Sequence, residues 1–217
     1  MSVEQPTEQV NARRPYDSNR RRQQSRDTHD ALLDIAEKRF LEHGYSATTI
    51  DSIAADAAVS AATIYKTYRS KAGLVRALCQ RALAGRGPVR AEQRSDTLQA
   101  NQPDPRKIIA GWGRLTAEVA PRISPIMLLL RDAAADDPTA GALLAELDDE
   151  RHVRMTHNAR LLIHNGHTRP GIRLSDASDV LWTYSSPELY DLLVRRRNWT
   201  LHKYATFIAD AITRALL

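Results

Sequence analysis

From about Thr28 onward, apolar residues recur at helical spacing. Leu32, Leu33, Ile35, Ala36, Phe40 and Leu41 form a first stripe that Gly44 ends as a C-terminal cap would. Asp27, Asp30 and Asp34 fall in the early turns, where the helix dipole favours acids. A second helix is predicted from the Thr48-Thr49 pair. Thr48 and Asp51 have capping-box spacing, and Ile50, Ile53 and Ala54 form the inner face. It ends near Ala57-Ala58. Ser60 then caps a short third helix through Lys66, and a fourth runs from about Lys71 with Leu74, Val75 and Leu78 inward.

The flanking segments read differently. Residues 1–24 are polar, carry two prolines and lack periodicity, which predicts a disordered arm. Residues 85–104 read as a linker or long loop, because Gly85, Gly87 and Pro88 lead into a polar stretch. Asp104-Pro105 restarts a helix with a cap and a proline at its first position. Pro121 and Pro125 mark the next expected junction, before the apolar run from Ile126 to Leu130. Asp137-Pro138 opens a long helix toward Asn165-Gly166. Pro170-Gly171 is a turn, Ser175 a cap for a helix over 176–195, and the last helix covers about Thr200 to Leu217. With no strand pattern and no repeat, the expected fold is all-α. It divides into a basic arm (1–24), a three-helix helix-turn-helix DNA-binding domain (25–84) and a helical ligand-binding and dimerisation domain (85–217).

Two short helices joined by a tight turn, behind a longer supporting helix, suit the second short helix to the major groove of DNA. Ser60, Ala61, Ala62 and Thr63 are small enough for close approach to base edges, with a hydroxyl and methyls to offer them. Tyr65, Lys66 and Tyr68 can hydrogen-bond phosphates, Lys71 suits a flanking phosphate, and Thr48 or Thr49 can present a hydroxyl or helix end. Tyr65 and Tyr68 equally suit half-buried aromatics closing a small core, and Lys66 and Lys71 solvated charges.

The stretch Phe40-Leu41-Glu42-His43-Gly44-Tyr45-Ser46-Ala47-Thr48-Thr49-Ile50 resembles the entry to the DNA-binding domain of the TetR family. The resemblance continues through Ile53-Ala54, Ala58-Val59-Ser60 and Thr63-Ile64-Tyr65-Lys66-Thr67-Tyr68-Arg69-Ser70-Lys71 to Leu74, covering roughly residues 27–78. It implies phosphate contacts for Tyr65, Lys66 and Lys71 and a groove-facing role for Ser60 to Thr63. The chain departs from the family in having Ala58 where glycine is usual, and Ala62 where it is frequent. Alanine at 58 costs about 1 kcal/mol if the turn needs a positive φ.

The C-terminal region, from Leu181-Trp182-Thr183-Tyr184 through Pro187 to Val194, with Asn198-Trp199-Thr200 and Tyr204, resembles the dimerising end of many such regulators. That implies a four-helix bundle between two copies. Leu181, Leu189, Leu192, Leu193, Phe207, Ile208, Ile212 and Leu216 can cover an interface or fill a monomer core. Pairing also doubles the base contacts of a helix-turn-helix on a palindromic site. A pocket for a small apolar or aromatic effector is expected between the middle helices, with Trp112, Leu115, Met127, Leu130, Met155, Trp182 and Tyr184 as wall candidates. The reading is a homodimeric, ligand-responsive repressor on double-stranded DNA, with an activator of the same fold as the alternative.

Composition narrows the rivals. The net charge of +5 is compatible with nucleic acid. Arg13, Arg14, Arg20, Arg21, Arg22 and Arg26 crowd the arm with only Asp17 among them, which fits a solvated tail or a phosphate-seeking one. The single Cys79 excludes an intrachain disulfide and a cysteine-rich zinc site, and its apolar-rich helix favours packing over nucleophilic chemistry. No apolar run is long enough to span a bilayer, and a polar stretch follows the arginines where an export signal needs an apolar one, so a cytoplasmic location is expected. His152, His157, His164 and His167 share one helix and its end, the basis of a minor metal-responsive alternative. However, His157 and His164 lie about 10 Å apart along a helix, too far to share one ion. No phosphate loop, nucleophile elbow or zinc-protease motif is present, so neither catalysis nor a cofactor is expected.

Overall fold

The computed structural model describes residues 18–85 and 87–217, with side chains from Thr28 onward. The described residues form helices α1 (Ser18–His43), α2 (Ile50–Asp56), α3 (Ala61–Tyr68), α4 (Lys71–Ala84) and α5 (Ala91–Asn101). They continue with α6 (Pro105–Ala133), α7 (Pro138–His164), α8 (Leu174–Tyr184), α9 (Pro187–Tyr190) and α10 (Leu201–Leu216). A π-helical turn, Asp191–Arg196, follows α9 directly. No strand occurs among the described residues, so the fold is all-α.

The local signals act mostly where they were expected. Gly44 takes φ +85° and donates its N–H to the Phe40 carbonyl at 2.9 Å, which stops α1 in a conformation natural to glycine. Ser60 caps α3, Asp104 caps α6 and Asp137 caps α7, each accepting a first-turn backbone N–H. The cap of α2 is shifted by one residue: Thr49, not Thr48, accepts from Ser52 N–H, and Ser52 returns the bond to Thr49. Helix α8 begins at Leu174, ahead of the expected cap Ser175. It ends at Tyr184, because Ser186 and Pro187 start a new helix instead of continuing the old one.

Three larger expectations change. Helix α1 starts at Ser18, so residues 18–24 of the predicted arm are helical, while residues 1–17 lie outside the described residues. The predicted 85–104 linker contains α5, whose buried face is Ala91, Ser95 and Gln99. That face is largely polar and leaves no apolar period to read. Pro121 and Pro125 are no junction but lie inside the continuous α6. An interior proline costs about 3 kcal/mol. Burial on both sides of the pair offsets this, with Ile109, Trp112 and Ala120 before it and Ile126, Met127 and Leu130 after it.

Those prolines sit where α6 passes between two apolar cores. One core joins Leu33, Phe40, Ile53, Ile64, Leu74 and Leu78 to Ile126, Met127 and Leu130 of α6 and to Leu143 and Leu147 of α7. The other joins Ile109 and Trp112 of α6 to Leu162, Leu181, Tyr204, Ile208 and Ile212. The N-terminal helices therefore share a core with α6 and α7. Movement of either long helix bears directly on α4.

Candidate nucleic-acid interface and ligand cavity

Helix α3 is short and amphipathic. Ile64 is buried in the first core and Ala61 is partly buried against it, while Ala62, Thr63, Tyr65, Lys66 and Thr67 are exposed. Its N-terminus is fixed by Ser60, whose Oγ accepts from Thr63 N–H at 3.2 Å and lies 2.8 Å from the Thr63 hydroxyl. Its C-terminus abuts α4. A Cβ at Gly73 would lie 2.0 Å from the Tyr68 carbonyl oxygen, so only glycine lets the two helices meet this closely. The turn before α3 holds Ala58 at φ +52°, the left-handed conformation expected where this chain lacks the usual glycine. Arg39 of α1 grips Asp56 of α2 through two bonds, one of them 3.1 Å, and this hydrogen bonding holds the Asp56 carboxyl below the usual carboxylate range.

The sites proposed from sequence separate into faces and struts. Thr49, Ser60, Ala62, Thr63, Tyr65 and Lys66 are exposed around the α2–α3 unit. Thr48 is fully buried, and its hydroxyl donates to the Gly44 carbonyl at 2.8 Å, so it holds the turn and does not face DNA. Tyr68 is also corrected. Its ring is buried and stacked on His29, its hydroxyl lies 2.9 Å from His29 Nδ1, and burial pushes the phenol up to about 12. Lys71 is half-buried, donating to the Tyr45 carbonyl at 3.0 Å with Nζ 4.1 Å from the Tyr45 ring centroid. Thr67 shares the exposed face one turn beyond Thr63, and only its helical register could have signalled this.

A second feature lies between the middle helices. A cavity of about 230 Å3 is walled by residues of α4 through α10. Of the wall candidates, Trp112, Leu115, Met127, Met155 and Tyr184 line it. Leu130 does not, because it is fully buried in the N-terminal core. Trp182 does not either: its ring packs under Arg151, with the guanidinium carbon 4.5 Å from the centroid. Sequence reasoning missed the polar side chains of the wall, among them Ser95, Arg151, Arg154 and Asn158, since polar residues carry no hydrophobic period.

The remaining candidates are dispersed. Leu181, Ile208, Ile212 and Leu216 are monomer core and Leu189 and Leu193 are partly buried, whereas Leu192, Leu201 and Phe207 are exposed. Asn198 takes φ +54° beside them, at a position where the resembled family often has glycine. Cys79 is fully buried, and burial pushes its thiol up to about 12. His152 and His157 approach different carboxylates, Asp179 and Asp96, and the described residues hold no group of three potential metal ligands. No helix among them is long and apolar enough to cross a membrane.

A short exposed helix braced by neighbouring helices and joined to a helical unit with an internal cavity defines a helix-turn-helix architecture. Residues 32–78 match the family described as bacterial regulatory proteins, tetR family. The chain is 38% identical over 71 residues to the uncharacterized HTH-type transcriptional regulator YvkB of Bacillus subtilis (strain 168). That match covers 33% of this chain and 38% of the relative, so it spans well under half of either. Among solved structures, the SmeT–triclosan complex superposes with a TM-score of 0.68 at 20% identity, covering 88% of this chain and 92% of that one. NalD, the secondary repressor of the MexAB-OprM multidrug efflux pump in Pseudomonas aeruginosa, gives 0.65 at 20% identity, covering 90% and 98%. Residues 32–78 thus match the N-terminal domain of the tetR family, and the chain as a whole shares its fold with these solved structures.

Proposed function

We propose that this protein is a cytoplasmic, homodimeric transcriptional repressor that reads a palindromic operator with α3 and responds to a small molecule held in the α4–α10 cavity. The observation that carries the reading is the outer face of α3, where Ala62, Thr63, Tyr65, Lys66 and Thr67 are exposed on a helix clamped at both ends. Small residues near its start suit base edges, and Tyr65 and Lys66 farther along suit phosphates. Lys71 acts from a fixed position, since its bond to Tyr45 leaves further ammonium protons for a flanking phosphate.

Dimer formation is supported by apolar surface at the far end, where Leu192, Leu201 and Phe207 are exposed beside Trp199. Ligand response is supported by the cavity and by its link to the reader. Glu150 lines the cavity and accepts a 2.7 Å bond from Arg76 of α4, which also holds Glu146. A ligand that shifts α7 relative to α6 thus acts on α4 and, through the Gly73 contact, on α3. Two structural neighbours, one described as a complex with triclosan and the other as an efflux-pump repressor, support a repressor with a small-molecule effector.

Selection from randomised DNA duplexes with the full chain tests this. Enrichment of an inverted repeat, with half-sites separated by one turn of about 10–10.5 base pairs or a multiple, is expected. Recovery of no preferred sequence, or of a single unrepeated site, overturns the dimeric reader.

A further inference from the structure

We infer that the cavity takes an uncharged ligand with an apolar body and a head group that both donates and accepts hydrogen bonds. This rests on the reading of the cavity as the ligand site and specifies what that site selects. Buried polar groups are almost always paired. Along this wall they are not: the Ser95 hydroxyl, the Trp112 indole N–H and the Asn158 side-chain oxygen are buried without a hydrogen-bond partner. Their residues are 6%, 6% and 4% exposed, and come from α5, α6 and α7 respectively.

The chemistry of these atoms is complementary in kind. An indole N–H only donates, an amide oxygen only accepts, and a hydroxyl does either. The matching head offers an acceptor to Trp112 and a donor to Asn158, with Ser95 completing whichever bond remains. Leu115, Val119, Ile123, Met127 and Met155 supply the apolar surface for the body.

Charge separates a neutral ligand from an anion. Arg151 lines the cavity and its Nε–H also lacks a partner, but its guanidinium charge is already met by Asp148 at 3.0 Å, and Arg154 pairs with Asp96 at 2.6 Å. Glu150 is held by Arg76 at 2.7 Å, and Glu92 lies 3.7 Å from Arg90. Every charged side chain of the wall therefore has an opposite partner. An anionic head would enter a largely apolar site with no uncompensated cation to meet it.

Three naphthalene probes of nearly one shape test this on the full chain: naphthalene-2-carboxamide, 2-acetylnaphthalene and naphthalene-2-carboxylate. Affinity is read by calorimetry, and occupancy by the indole N–H resonance of Trp112, assigned with Trp112→Phe. The amide is expected to bind at least about tenfold more tightly than the ketone, which lacks the donor, with the carboxylate weakest. Asn158→Leu is expected to bring amide and ketone to equal affinity. Equal binding of amide and ketone to the unaltered chain overturns the inferred head group, and preference for the carboxylate overturns its neutrality. In both cases the cavity stands as the site. If no probe moves the Trp112 resonance up to its solubility, the ligand-site reading falls and this inference with it.

Discussion

Arg76 of α4 and Glu150 of α7 are joined by a 2.7 Å ion pair, and Glu150 also borders the cavity. One side chain thereby links α4, which packs against the proposed DNA-reading helix α3, to the wall of the cavity. Arg76 is the more buried partner, with a side chain 27% exposed against 61% for Glu150. The hydrogen bond to Glu150 raises its already high pKa, so it remains charged throughout the working range.

Replacing Arg76 with Met should therefore act on coupling more than on binding. DNA affinity without ligand is expected to change little. The loss of DNA affinity caused by saturating naphthalene-2-carboxamide is expected to shrink at least about fivefold, as removal of a 1–3 kcal/mol coupling implies. Paired titrations with and without the probe check this, and undiminished release from the variant would place the coupling elsewhere.

Ala58 sits at φ +52°, where an L-residue costs about 1–2 kcal/mol and glycine almost nothing. Glycine pays back about 0.5–1 kcal/mol in unfolded-chain entropy. Ala58→Gly should stabilise the protein by a few tenths to about 1 kcal/mol, raising Tm by about 1–4 °C in a chain of this size. Thermal denaturation followed by circular dichroism measures it, and a lower Tm would contradict the strain argument.

Gly73→Ala should have the opposite effect. Its Cβ would overlap the Tyr68 carbonyl, so the α3–α4 junction must open at a cost of about 1–3 kcal/mol. Because that junction aims α3, DNA affinity is expected to fall more than about tenfold even well below the variant's Tm. Retained affinity in a folded variant would show that the junction does not set the reader's direction.

Asp96 lies beside the cavity, its carboxyl held below the usual range chiefly by the hydrogen bond from Arg154. A depressed carboxylate contributes stability above its unfolded value of about 3.9, and loses it as pH falls through the lower folded value. The stability gap between the wild type and Asp96→Asn should thus be constant from about pH 5 to 7 and narrow below about pH 4. Chemical denaturation across that range checks it, and a gap that persists at the lowest pH would contradict the assignment.

The helix-turn-helix was legible because its signals are local. Apolar spacing set the inner face of α3, the caps set its ends, and a family resemblance in fixed register joined them. What failed there was the direction of single side chains. Thr48 and Thr49 look alike in sequence, yet Thr48 turns inward to the Gly44 carbonyl while Thr49 caps α2. Tyr68 reads as a phosphate donor until His29, 39 residues away, is seen to hold its hydroxyl. The cavity was half legible. Its apolar wall follows helix periodicity, but Ser95 and Asn158 break it, and α5 escaped for the same reason. Pro121 and Pro125 misled because tertiary burial outweighs their local preference.

The exposed face of α3 is proposed to grip DNA. Fluorescence anisotropy on duplexes from the DNA flanking the protein's own coding region, between about 50 and 200 mM salt, tests it most directly. Tyr65→Ala and Lys66→Ala alter the exposed face, while Tyr68→Phe removes only the internal bond to His29. Tight, steeply salt-dependent binding is expected, weakened about tenfold or more by the first two changes. Lys66→Ala should also lower the salt slope by about one. Tyr68→Phe should bind like the wild type while losing about 1 kcal/mol of stability. If Tyr65→Ala and Lys66→Ala bind as the wild type does, α3 is not the DNA reader.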